Sequence, residues 1–168
     1  MNRKPVKICA LILFGVGIAL LALSLPRVWY SDAYGDLRGI DGRYYSDLPV
    51  AGSAFLRMPV IAVGAAALFG ALATLAGSRI AVGISMFGLV LGGTIFVFGT
   101  EGILSEKPLP GYIVEALDLQ GGDPRLGSGA YLFASGMLTV ALGLLVTLIG
   151  LLWQGNSGIE PDIGEQNS

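Results

Sequence analysis

An all-α integral membrane fold, a bundle of four transmembrane helices, is what this sequence predicts, and three observations predict it. Four uncharged, Gly/Ala-rich apolar spans run approximately Ile8–Leu25, Val60–Ala76, Ile80–Phe98 and Ala130–Leu152. Each is close to the roughly 20 residues that a helix needs to cross a hydrocarbon core. Charged residues make up 13% of the 168 residues and hydrophobic ones 54%, with a mean hydropathy of +0.73. A soluble domain carries about 25% charge, so too little polar surface is left to coat a globule. Finally, the Gly77-Ser78-Arg79 link is so short that the second and third helices must be antiparallel neighbours.

The start of the chain is basic, with Arg3, Lys4 and Lys7 ahead of the first span. That span is longer than the 7–15 apolar residues of a typical signal core, and only Ser24-Leu-Pro-Arg-Val-Trp follows it, without a small-x-small cleavage pattern. It is expected to stay as a retained helix. Cys9 is the one cysteine and there is no histidine, so an intrachain disulfide is excluded and Cys9 reads as a small buried hydrophobe at the inner helix end. Positive residues close to span ends set orientation, whereas long loops translocate largely regardless of charge. Arg3, Lys4, Lys7 and Arg79 therefore place both termini in the cytoplasm and both long loops, about 26–59 and 99–129, outside. Trp29, Tyr30, Tyr131 and Trp153 stand near span ends, where aromatic side chains favour the membrane–water interface.

The first outer loop is dense in aromatics: Trp29, Tyr30, Tyr34, Tyr44, Tyr45 and Phe55, interleaved with Asp32, Asp36, Asp41 and Asp47. Its middle, Leu37-Arg-Gly-Ile-Asp41-Gly42-Arg-Tyr-Tyr, reads as a small hairpin turning at Asp41-Gly42. Pro59 falls at the entrance of the second span, where a missing N–H costs nothing. In the second outer loop, prolines before and glycines after bracket Tyr112-Ile-Val-Glu-Ala-Leu-Asp-Leu-Gln. That pattern predicts a short interfacial helix with Ile113, Ala116 and Leu117 on one face. Residues 1–153 thus read as one transmembrane domain. Residues 154–168, polar, acidic and Gly-containing, read as a disordered cytoplasmic tail.

Helices in lipid associate through close packing at small residues and through interhelical hydrogen bonds. The second span offers Ala62, Ala66, Gly70 and Thr74, and the third offers Gly88 and Gly92 with Gly93 beside them. The fourth carries two rows, Ser135/Thr139/Gly143/Thr147 and Gly136/Gly143/Gly150. Packing of the four helices on one another accounts for most of this. The surplus on the fourth span makes Gly136, Gly143, Gly150, Gly88 and Gly92 candidate docking positions for a helix of another subunit. Trp29, Tyr30, Tyr34, Tyr44 and Tyr45 are the candidate outer-loop contacts, since Tyr and Trp dominate protein interfaces.

No Asp, Glu, Lys, Arg or His lies inside any span. Such residues mark proton relays and ion pathways, so an ion-coupled transporter or pump is disfavoured. No histidine and one cysteine leave no ligand set for haem b, iron–sulfur or zinc, and Asp32, Asp36 and Asp41 lack EF-hand spacing. No cofactor, metal or catalytic residue is expected, and a net charge of −2 with pI near 5.0 gives no basic patch for nucleic acid.

Four spans with a longer, Trp-containing first outer loop resemble the claudin-like tetraspan layout; the paired loop cysteines and Gly-Leu-Trp motif of that family are absent, and the likeness is one of topology. The expected role is a non-catalytic accessory or structural subunit of a larger, bacterial inner-membrane complex. Its expected partners are membrane lipids and other integral membrane subunits. The alternatives are a stand-alone protein handling lipid or another small hydrophobic molecule, and an oligomeric pore or adhesion tetraspan. The absence of Asn-x-Ser/Thr sites and loop disulfides leans bacterial.

Overall fold

The computed structural model describes residues 4–32, 35–38, 52–105 and 125–156. Helix α1 spans Lys4–Ser24, α2 Gly52–Ala76, α3 Arg79–Ser105 and α4 Ser128–Asn156. Strands β1 (Val28–Asp32) and β2 (Gly35–Arg38) follow α1, and a two-residue β3 (Arg125–Leu126) precedes α4. All four helices are long and apolar enough to cross a membrane, the architecture of a multi-pass membrane protein in contact with lipid.

Local chemistry sets the helix ends. Helix α1 stops at Ser24 because Leu25 precedes Pro26, and the residue before a proline is pushed out of the helical region. The Ser24 hydroxyl donates to the Leu21 carbonyl at 2.6 Å, and the Arg27 N–H reaches the Ser24 carbonyl at 3.2 Å. Between α2 and α3, Gly77 adopts φ +68° and its N–H bonds the Ala73 carbonyl at 2.8 Å, a left-handed C-cap. Ser78 then opens α3, its Oγ accepting from the Ala81 N–H at 3.3 Å. A Cβ at Gly77 meets no neighbour, so the cost of Gly77→Ala is purely conformational, about 1–2 kcal/mol. Thermal unfolding in detergent should show that loss for Gly77→Ala; an unchanged midpoint would mean the turn does not depend on the left-handed residue.

All four helices outrun their apolar spans, α3 and α2 the furthest. Hydropathy marks only the part of a helix that sits in hydrocarbon, while the hydrogen-bond ladder continues into the polar interface. Helix α3 therefore runs on to Ser105, and α2 starts at Gly52 rather than near Val60. The second extension corrects the reading of Pro59, which lies inside α2 and not at its entrance. Its missing N–H removes the ladder bond to residue 55. The residue is nonetheless almost wholly buried, and its own carbonyl stands 3.0 Å from where a Cβ on Gly92 would sit.

A hairpin that the sequence reading did not anticipate follows α1. β1 and β2 pair antiparallel with Ser31 opposite Asp36 and Asp32 opposite Gly35, and β3 joins the other edge of β1, giving the order β2-β1-β3. Leu37 and Arg38 thus pair backwards, onto Tyr30 and Val28. Asp41-Gly42, the second-loop helix at 112–120 and the tail beyond Asn156 lie outside the described residues.

In the bundle, α1 packs closely along α4 and α2 along α3, each pair antiparallel, and the pairs join across α1–α2, α2–α4 and α3–α4. Helices α2 and α4 therefore face each other across the short diagonal, and α1 and α3 occupy the far corners. The core runs through Ala10, Phe14, Leu21, Trp29, Val63, Ala66, Ala67, Phe133, Val140 and Leu144. A smaller cluster of Ala73, Val82 and Leu151 closes the end where α2 turns into α3.

The four buried polar side chains among the described residues are Ser24, Thr74, Ser85 and Thr147, all hydroxyls and all bonded. Ser85 of α3 donates to the Ala66 carbonyl of α2. Thr74 and Thr147 meet across the short diagonal at 2.7 Å, and each Oγ1 also lies 2.9 Å from a carbonyl of its own helix, Gly70 or Gly143. Two hydroxyl protons serve these three contacts, so one threonine donates to the other, which donates back to its own helix. Thr147→Val should cost about 0.6 kcal/mol, the average for hydrogen bonds between membrane helices, and no more than about 1.7 kcal/mol. In a Thr74→Val background the same change should cost less. Equal costs in both backgrounds would show that the two hydroxyls are not coupled.

Candidate functional site

The residues singled out in the sequence fall into three groups with different fates. The α4 row points at α1 of the same chain. A Cβ at Gly136 would lie 3.1 Å from Leu21 Cγ and 3.2 Å from the Gly17 carbonyl oxygen. A Cβ at Gly17 would in turn lie 3.3 Å from the Gly136 carbonyl oxygen, so the two helices touch backbone to backbone at this glycine pair. One heptad on, a Cβ at Gly143 would stand 3.0 Å from the Phe14 ring, and at Gly150 it would stand 3.4 Å from Val6. Gly136, Gly143 and Gly150 therefore form the groove that receives α1, and they do not face outward.

Phe14 is the knob of this groove. Its ring is 1% exposed and lies between two glycines, since a Cβ at Gly70 of α2 would come within 2.6 Å of it. Gly88 and Gly92 serve the other pair in the same way. A Cβ at Gly88 would meet the Ala62 carbonyl at 3.1 Å and the Ala66 Cβ at 3.2 Å; at Gly92 it would meet Val63 at 2.5 Å and Ala62 at 3.3 Å. Small residues at these positions let the backbones approach, which is what holds helices together where lipid is as apolar as leucine.

The outer-loop group divides. Trp29 is fully buried, so it is part of the core and is not a contact open to a partner. Its indole stands edge-on to Phe96 of α3 (centroids 6.0 Å, planes at 74°) and 5.2 Å from Phe133 of α4, while those two rings lie 4.7 Å apart. Its Nε1–H donates to the Ser24 carbonyl at 2.7 Å, which satisfies the polar tip of a buried Trp. Gly127 and Gly129 make room for this: a Cβ at Gly129 would overlap the indole, and one at Gly127 would overlap the Val28 backbone. The Gly127 N–H bonds the Trp29 carbonyl at 2.7 Å. The end of α1, the middle strand of the sheet and the start of α4 are thereby clasped together over the bundle. Tyr30 lies on β1, with its backbone paired to Leu37 and Leu126. Tyr34, Tyr44 and Tyr45 lie outside the described residues.

Sequence reasoning missed Phe14, Gly17, Gly127 and Gly129 as the residues that organise these contacts. The Gly127-x-Gly129 pair directly before an apolar span was a usable signal for a close approach; nothing in the sequence marks Phe14 above the other apolar residues of its span.

Large apolar side chains face outward on all four helices. Cys9 is exposed on α1, along with Ile8, Ile12 and Val16. On α3, 17% of the most apolar stretch is buried, against 39% on α2. That leaves Ile80, Phe87, Val90, Val97 and Phe98 uncovered at its corner of the bundle. Among the described residues there is no group of three or more His, Cys, Asp or Glu side chains placed to hold a metal ion. No protein-family model matches the chain, and no curated protein is significantly similar to it.

Proposed function

We propose that this chain is a non-catalytic accessory or structural subunit of a larger, bacterial inner-membrane complex. The observation that carries the reading is how the interior is used. Every buried side-chain hydroxyl among the described residues has a hydrogen-bond partner within the bundle, a backbone carbonyl or the other threonine of the Thr74–Thr147 pair. The two glycine rows are filled by Phe14, Leu21, Val63 and Ala66 of the same chain. A bundle whose inside is devoted to its own packing offers other molecules its outward helix faces and its outer loops. The Trp29 clasp supports this, because it holds the base of the aromatic-rich first loop against the helix ends. Tyr and Trp are the residue types that dominate protein interfaces, and that loop is rich in tyrosine.

In this proposal both termini are cytoplasmic. The start of α1, the α2–α3 turn and the end of α4 share one end of the bundle, as the Val6–Gly150 approach and the Thr74–Thr147 bond require. Lys4, Lys7 and Arg79 are thus gathered there, within short segments at span ends. In a Cys9→Ser background, Ser46→Cys should react with a membrane-impermeant maleimide in intact cells, and Ser157→Cys only after lysis. The reverse pattern would invert the topology.

The role itself is tested by purifying the protein in mild detergent and quantifying what accompanies it by mass spectrometry. Stoichiometric integral membrane proteins are the expected result. A protein that purifies alone, or with one bound lipid in stoichiometric amount, would overturn the subunit reading; the bound lipid would favour a lipid-handling role instead.

A further inference from the structure

We draw no further inference here: the strongest candidate, the outward face of α3 formed by Ile80, Phe87, Val90, Val97 and Phe98, is an unpartnered apolar surface, and nothing in the structure shows what covers it.

Discussion

Gly143→Leu should unfold the bundle from within, not strip a partner from its surface. A Cβ at Gly143 already stands 3.0 Å from the Phe14 ring, and the rest of a leucine side chain has nowhere to go while that ring stays between Gly70 and Gly143. Overpacking of this kind typically costs about 1–3 kcal/mol and occasionally more. Leucine's better helix propensity returns less than about 1 kcal/mol, so the clash decides the sign. Gly15→Leu is the matched control, because a Cβ there meets nothing within 4 Å; it should leave stability unchanged or slightly raised. Adding Phe14→Ala to Gly143→Leu should make the double variant markedly less destabilised than the sum of the two single changes. Unfolding midpoints in mild detergent read all four proteins. Strict additivity of the two changes, or an equal loss for Gly15→Leu, would show that Phe14 does not fill this groove.

Trp29 should be the most damaging single position in the outer layer. Trp29→Ala empties a site enclosed by Phe96 and Phe133 and removes the indole donor from the Ser24 carbonyl. Truncating a buried Trp or Phe costs about 3–5 kcal/mol. Gly129→Leu should reach a similar end by the opposite route, since its side chain would occupy the volume of the indole. Fluorescence separates this from general unfolding. The chain has two tryptophans, so in a Trp153→Phe background the emission comes from Trp29 alone. It should be blue-shifted in the parent and red-shifted with Gly129→Leu, while helical circular dichroism persists. Unchanged emission would mean that the indole is not held against Gly129.

The four crossings were legible in the sequence because an uncharged apolar run of bilayer length is rarely compatible with anything but a helix in lipid. The α2–α3 hairpin was legible because a Gly-Ser link permits no other geometry. Helix ends were less legible: apolar character stops at the interface, but backbone bonding does not, so α2 extends far enough back to enclose Pro59. The small-residue rows were legible as contacts, not as contacts with a particular neighbour. Gly136, Gly143 and Gly150 look the same in sequence whether α1 or a foreign helix fills the groove. The pairing of α1 with α4 is set by Phe14 and by the Gly17–Gly136 approach, which no local pattern encodes. Trp29 was misread for a related reason. An aromatic just past a span end is ordinarily an interface anchor, and only the glycines a hundred residues downstream, Gly127 and Gly129, turn it inward. The β1–β2 pairing was not legible, because it joins Val28–Asp32 to Gly35–Arg38 without a strong turn signal between them, and β1 finds partners on both sides, β2 and β3.

That α1 of the same chain fills the α4 groove is the claim on which the rest depends, and a disulfide reads it directly. Val6 Cγ1 lies 3.4 Å from the Cβ position of Gly150, which brings cysteines at the two positions within reach of the short separations a disulfide demands. In a Cys9→Ser background, Val6→Cys with Gly150→Cys should oxidise in native membranes to an intrachain bridge. Cleavage of an engineered protease site between α1 and α4 would then leave the two fragments joined until reduction. A bridge that forms only between separate chains, or none at all while both single cysteines react with maleimide, would contradict the arrangement.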